Sequence, residues 1–535
     1  MLSQVLTEKR RLTTVGATPA PPRVAEIREV GLRYRPESGY PSRPSLREMA
    51  QLIFRIYGRF PGSAGHTRRE SFPTAGYDGS SYPQILTLER APDALSGTCC
   101  GGNRGVLHYR GHDSFLALGL ADHLFIEQVK WRYARARTPF LVFDISRLMD
   151  NYLRFQRVLR GAEVFYPVKC NDHPFILGLL RDWGSGFEAA SWAEIEGLLK
   201  AGVEPKRIIF GAPIKAEEHI GKAWRAGVEV YAFDSREEID KLARWAPGCR
   251  VYLRLSVPDI GASVFPLSGK FGASLYDAHR LIWAARENGL RPAGLSFHVG
   301  SQCLDPHAWW LAVAAAARVW ERAAREGIEL EFLNLGGGIP VSYRRPVPEK
   351  GLFLSHINLA LKGHFWRVPR ILVEPGRALV GDAAVMVATV IGRARRKGMD
   401  WVYIDAGAYQ GLIEAVQEKE RFSYQVYAEG GGPLRLYNVG GPTCDSEDVV
   451  AREVLLPELR CGDRLYILNA GAYSNVCATD FNGFAPPDVH FMCGDAEAHV
   501  EHGMGRGHRQ KRHAAAEGLK EGSGTWTPGR GKAGE

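Results

Sequence analysis

The 535-residue sequence predicts a closed (β/α)8 barrel, a TIM barrel of the α/β class, followed by a mainly antiparallel β domain. Three observations carry this. Short apolar runs alternate with amphipathic stretches from about Thr138, the alternation repeats to eight runs, and after Gly376 apolar runs continue without full-length helices between them.

The eight runs read as buried strands at Val164–Lys169, Phe187–Ala190, Ile208–Gly211, Val230–Asp234, Val251–Leu255, Leu295–Val299, Phe332–Leu335 and Ile371–Glu374. Helical stretches fall between them at Trp192–Ala201, Ala216–Ala226, Glu237–Trp245, Tyr276–Asn288 and His307–Glu326. Eight repeats in about 230 residues suit a closed barrel better than a doubly wound sheet. Later strands are expected at Ala384–Arg393, Trp401–Ile404, Leu434–Val439 and Arg464–Asn469, with Phe140–Ile145 joining them. Residues 128–145 and 379–502 would then form one β module around a barrel of residues 146–378.

Both ends of the chain differ in texture. Residues 1–125 read as an N-terminal extension rich in Pro, Gly and Arg, expected to be poorly ordered apart from one amphipathic helix at Ser45–Tyr57. Residues 503–535 carry seven Lys or Arg against three Glu in a Gly-rich run, a composition that cannot bury enough apolar surface to offset its chain entropy. This basic tail is read as disordered. Much of the formal charge of +9 sits in such tails, so it is weak ground for a nucleic-acid partner.

Nine cysteines, with Cys99-Cys100 as the sole cluster, show neither metal-site nor disulfide spacing, so no metal is expected and reduced thiols of a cytoplasmic protein are. No apolar stretch reaches the roughly 18 residues of a membrane span.

Barrel enzymes place their chemistry at the C-terminal ends of the strands. Here those ends carry Lys169, Glu188, Arg254, His298 with Gly300-Ser301, the triplet Gly336-Gly337-Gly338, and Glu374-Pro-Gly-Arg377. Each alone has an ordinary explanation, such as a solvated charge or a turn. Together they have one chemistry. Glycines let backbone N–H groups approach a phosphate, and Arg377 balances its charge. A buried Lys is a nucleophile toward an aldehyde cofactor, a carboxylate keeps a pyridine nitrogen protonated, and a His fixes the plane of a ring. These are the parts of a pyridoxal 5'-phosphate site.

The motifs FYPVKCN (165–171), GFEAASWAEI (186–195), IIFGAPIK (208–215), FHVGSQ (297–302), LNLGGGIP (333–340), VEPGR (373–377), GPTCDSED (441–448) and GAYSNVCATDFNGF (471–484) resemble, in order and spacing, those of the ornithine/lysine/diaminopimelate decarboxylases. These are type III pyridoxal enzymes with the alanine-racemase fold, and the bacterial ornithine/lysine branch is the most similar. The resemblance runs from about Thr138 to Phe491.

What it implies is specific. Lys169 holds the cofactor, Glu374 pairs with the pyridine nitrogen and His298 stacks on the ring. Ser301, Gly337, Gly338, Arg377 and Tyr473 bind the phosphate, while Glu188 and Arg254 support the Lys and the ring oxygen. The active site is shared between two copies in a homodimer, and the partner copy supplies Cys444 as proton donor, Asp445 for the distal amine, and Phe481. The implied reaction is decarboxylation of a basic amino acid, ornithine before lysine, to a diamine for polyamine biosynthesis.

The Cys-Glu-Ser motif typical of diaminopimelate decarboxylases is replaced by CDSED. The rest of the amine pocket is expected in GAYQGLIEAVQEKE (407–420), from Tyr409 and either Glu414 or Glu418. Ala212, where Asn is usual, and Pro167 depart from the pattern without removing a catalytic group. A catalytically silent regulatory homologue, a racemase, and a decarboxylase of a modified or carrier-bound amino acid are the competing readings.

Overall fold

The computed structural model describes residues 119–493 apart from 268 and 431. The expected helix at Ser45–Tyr57, Cys99-Cys100 and the tail 503–535 lie outside the described residues.

Eight parallel strands close into a barrel: Glu163–Pro167, Gly186–Ala189, Ile208–Phe210, Val230–Phe233, Arg250–Arg254, Arg291–Ser296, Phe332–Asn334 and Arg370–Val373. The last pairs with the first, Leu372 opposite Glu163 and Val373 opposite Val164. Phe165, Ile209, Val230, Tyr252, Phe332 and Leu372 meet in the interior. The glycines between them are there for space. A Cβ on Gly186 would lie 2.6 Å from the Phe165 ring, and one on Gly294 would lie 2.6 Å from the Phe332 carbonyl. Between strands, side-chain caps set several helix starts. Ser191 Oγ accepts from Glu194 N at 3.3 Å while Glu194 Oε2 accepts from Ala190 N at 2.6 Å, a reciprocal box that begins helix Trp192–Lys200.

Two strand ends differ from the sequence expectation. Lys169 is not on the first strand: the extended run stops at Pro167 and a 3-10 turn, Val168–Cys170, carries it. The sixth strand, expected at Leu295–Val299, is Arg291–Ser296, so His298 and Val299 belong to the rim loop. Both shifts move chemical groups off the ladder and onto the mouth.

The second sheet has the order Gln425–Ala428, Arg464–Leu468, Ala384–Arg396, Met399–Ile404, Leu434–Gly440, Val449–Pro457. Phe140–Asp144 joins it, antiparallel to Ala384–Val387 and parallel to Asp488–Met492. Three strands, Gln425–Ala428, Val449–Pro457 and Asp488–Met492, have no counterpart in the sequence reading. The expected boundary of the extension at residue 125 also moves. Helix Leu120–Arg132 spans it and buries Phe125, Ile126 and Val129 against Phe140, Val385, Tyr466 and Met492. Burial of such side chains contributes about 1.5–3 kcal/mol each, so this part of the extension belongs to the β module.

Candidate active site

The barrel rim brings Lys169, Glu188, Arg254, His298, Ser301, Glu374 and Arg377, and the β module brings Tyr473, to the wall of one open cavity of about 280 Å³. Lys169 Nζ donates to Glu188, which is buried. Burial of Lys169 works against its charge, but Glu188 and then Glu374 outweigh it and hold the ammonium above the usual lysine range. Glu374 is pushed the other way: burial, then the nearby Glu188 carboxylate, raises it above the usual range. Asn334 Nδ2 donates to Glu374 Oε1 at 2.6 Å and fixes its orientation. A half-buried carboxylate pushed up in this way suits a partner that itself carries a positive charge, as a pyridinium does.

His298 is neutral. Burial, then the charges of Arg254 and Lys169, depress it to about 3. Its Nδ1 accepts from Gly300 N at 3.0 Å, which leaves the ring proton on Nε2. Gly337 lies against this ring and against the eighth strand: a Cβ there would come 2.6 Å from the Glu374 carbonyl and 3.3 Å from His298 Nε2. Gly336 and Gly338 take positive φ, +62° and +107°. The triplet is thus a backbone cradle that any side chain would fill, which fits a phosphate group held by N–H donors.

Two residues that the sequence reading passed over hold this loop. Gln302 is buried, and its Nε2 donates to Val341 O at 2.6 Å while its Oε1 accepts from Val341 N at 3.0 Å. Cys303 N adds a bond to Gly338 O at 2.9 Å. Asn334, besides gripping Glu374, accepts from Gly336 N at 3.0 Å. The signal for Asn334 and Gln302 was present as polar residues inside otherwise apolar segments. The β module reaches in through Tyr473, whose N donates to Cys170 O at 2.8 Å and whose ring lies under Arg377, 5.1 Å from the guanidinium carbon.

Glu414 also lines the cavity, but its carboxylate is turned to Arg377, with Nη1 donating to Oε2 at 2.7 Å. Of the two expected carboxylates, Glu414 stands at the cavity wall and Glu418 does not; Gln417 stands there from the same turn.

Cys444, Asp445, Tyr409 and Phe481 are absent from that wall and form a second cluster. Tyr409 OH donates to Asp445 Oδ2 at 2.6 Å, a bond that holds the Asp445 carboxyl below the usual range. The rings of Tyr409 and Phe481 lie 4.4 Å apart, and Cys444 N donates to Asn482 Oδ1 at 3.0 Å. Cys444 is exposed, as is Phe481. Asp448, another residue the sequence reading did not single out, joins the loops beneath: it accepts from Ala408 N at 2.7 Å and Thr443 Oγ1 at 2.6 Å.

Residues 145–381 match the family described as pyridoxal-dependent decarboxylase, pyridoxal binding domain. The lysine/ornithine decarboxylase of Selenomonas ruminantium is 36% identical over 359 residues, which cover 67% of this chain and 90% of that protein. Among solved structures, lysine/ornithine decarboxylase from Vibrio vulnificus complexed with putrescine aligns at TM-score 0.63 and 31% identity, over 70% of this chain and 99% of that one. SrLDC in complex with PLP and cadaverine aligns at TM-score 0.64 and 32% identity, over 74% and 98%. The chain belongs to the pyridoxal-phosphate-dependent amino-acid decarboxylases of the lysine/ornithine decarboxylase family.

Proposed function

We propose that this chain removes the α-carboxylate of a basic L-amino acid, ornithine first and lysine next, to give a diamine for polyamine formation in the cytoplasm. The observation that carries the reading is the meeting of Lys169, a half-buried Glu374 with a raised affinity for protons, neutral His298 and the Gly337-Gly338 cradle around one cavity. When bound, the cofactor supplies the electron sink for the pair left on the α-carbon as carbon dioxide departs.

The side chains do the rest. Lys169 Nζ would hold the cofactor, and Glu188 keeps that Nζ in position. Glu374 would pair with the ring nitrogen and His298 would stack on the ring, while Arg254 would support the ring oxygen. Gly337, Gly338, Ser301, Arg377 and Tyr473 would hold the phosphate. Cys444 returns a proton to the α-carbon, and Asp445, with Tyr409 and Phe481 beside it, receives the distal ammonium. That this cluster stands apart from the wall of its own Lys169 cavity supports a homodimer in which each copy completes the other's site.

Purified protein is expected to show a visible cofactor absorbance that K169A abolishes. Amine and carbon dioxide release should then be compared across ornithine, lysine, arginine and diaminopimelate. Absence of the band from cofactor-loaded wild type would overturn the cofactor placement, and preference for diaminopimelate would overturn the substrate class.

A further inference from the structure

Arg377 is enclosed, with 4% of its side chain exposed, and the rings of Phe265, Tyr343 and Tyr473 lie 5.1–5.7 Å from its guanidinium carbon. A guanidinium has two edges able to grip an acid in parallel. The end-on edge is taken by Glu414, whose side chain is 5% exposed: Nη1 donates to Oε2 at 2.7 Å and Nη2 donates to Oε1. The second Nη1 proton goes to the Tyr343 hydroxyl at 2.6 Å. The side edge is held far more loosely. Nε and Nη2 share one acceptor, Ser301 Oγ, at 3.4 and 3.2 Å. Arg377 also borders the Gly336–Gly338 loop.

The arrangement commits both Glu414 oxygens to Arg377, so the charge of this carboxylate is already answered inside the protein. It also leaves one edge of Arg377 fixed from behind and the other turned toward Ser301 and the glycine cradle. An arginine so enclosed needs a counter-charge inside the protein, because a buried charge stripped of its partner is strongly destabilising.

We propose that Glu414 is a positioning residue, the built-in counter-ion of Arg377, which holds the end-on edge of the guanidinium and so presents its side edge to a phosphate group. This rests on the phosphate placement proposed above. Glu414 balances Arg377 from within the protein, and a bound phosphate then adds to a guanidinium already aimed rather than recruiting a wandering one. Without Glu414, an anion becomes the missing half of the pair, and folding is linked to anion concentration.

The test is thermal unfolding of full-length wild type and E414Q, both freed of cofactor, with and without inorganic phosphate. E414Q is expected to melt several degrees below wild type, and phosphate is expected to shift E414Q about twice as far as wild type or more. A purely structural role would lower the midpoint in a way that phosphate does not restore. Equal phosphate shifts in the two proteins, or an E414Q midpoint equal to that of wild type, overturn the proposal. Should E414Q fail to fold, the paired variant R377M/E414M decides. With both charges gone it is expected to fold and to ignore phosphate, and its failure to fold would show that residue 414 serves shape rather than charge balance. The visible absorbance of cofactor-loaded wild type, read separately, tests the cofactor placement itself.

Discussion

Lys169 sits just past the end of a parallel strand, with neighbours delivered by the other strands of a closed barrel. Cys444 sits in a loop between two antiparallel strands, Leu434–Gly440 and Val449–Pro457, with neighbours delivered by two further loops. The first neighbourhood lines a cavity within one chain and its charges answer one another: Lys169, whose side chain is 45% exposed to that cavity, to the buried Glu188, and the buried Arg377 to the buried Glu414. The second is open, and its aromatic ring, Phe481, is 42% exposed. A barrel rim is complete in one chain. The exposed cluster of a thiol, a carboxylate and an aromatic ring is what the homodimer proposed above would cover.

The sharpest way to break that comparison is Cys444→Ala. It is expected to leave the visible cofactor absorbance intact while decarboxylation to the correct amine falls by two or more orders of magnitude, a typical cost of losing a proton donor. Mixing it with Lys169→Ala subunits is expected to restore up to about a quarter of activity, since random pairing regenerates one intact site in half the dimers. No recovery on mixing would place both residues in one site of one chain.

A smaller effect is expected on the closed side. Gly337→Ala puts a Cβ 2.6 Å from the Glu374 carbonyl, and overpacking of this kind costs ~1–3 kcal/mol. Where that cost falls on the cradle, pyridoxal phosphate is expected to bind roughly tenfold or more weakly, measured by titration of the absorbance. On the open side, Asp448→Asn weakens the acceptor that ties Ala408 to Thr443 and is expected to cost about 1.5–3 kcal/mol. Its signature is lost activity with the absorbance retained; equal loss of both would mean the two regions are not separable.

The effect that is smallest at neutral pH, and grows only in acid, is one of pH. His298 is depressed to about 3 in the folded protein, so the unfolded chain binds the extra proton as pH falls below the ordinary histidine value near 6.5. Stability from this group is therefore full above that value and declines between about 6.5 and 3. His298→Gln is expected to unfold with a shallower acid dependence than wild type across that window, and parallel pH profiles would refute the neutral assignment.

How much of this was legible depended on where the determining contacts lie. The eight barrel strands announce themselves because each is an apolar run followed by an amphipathic helix, and Lys169, Glu188, Glu374 and Arg377 are positioned by those strands. Their limits were less legible: Arg291-Pro292-Ala293-Gly294 does not read as a strand, yet Ala293 faces the barrel interior. Val449–Pro457 was missed because Arg452 and Glu453 interrupt its apolar character, which is ordinary in a sheet with one wet face. Glu414 was legible as a carboxylate near the site but not as the partner of Arg377, 37 positions away in the chain. In one dimension, a glutamate that greets an ammonium and one that clamps an arginine look alike.

The strand Phe140–Asp144 lies between Ala384–Val387 and Asp488–Met492, segments that are translated long after it. All but one seam of the barrel joins strands that follow one another along the chain. On the ribosome, then, the barrel can close while Phe140–Asp144 still waits for its neighbours. The strand that precedes the barrel in the chain thus belongs to the last part of the molecule to be sealed. A chain halted before Asp488 would contain every barrel residue and still offer one bare strand edge to the next nascent chain.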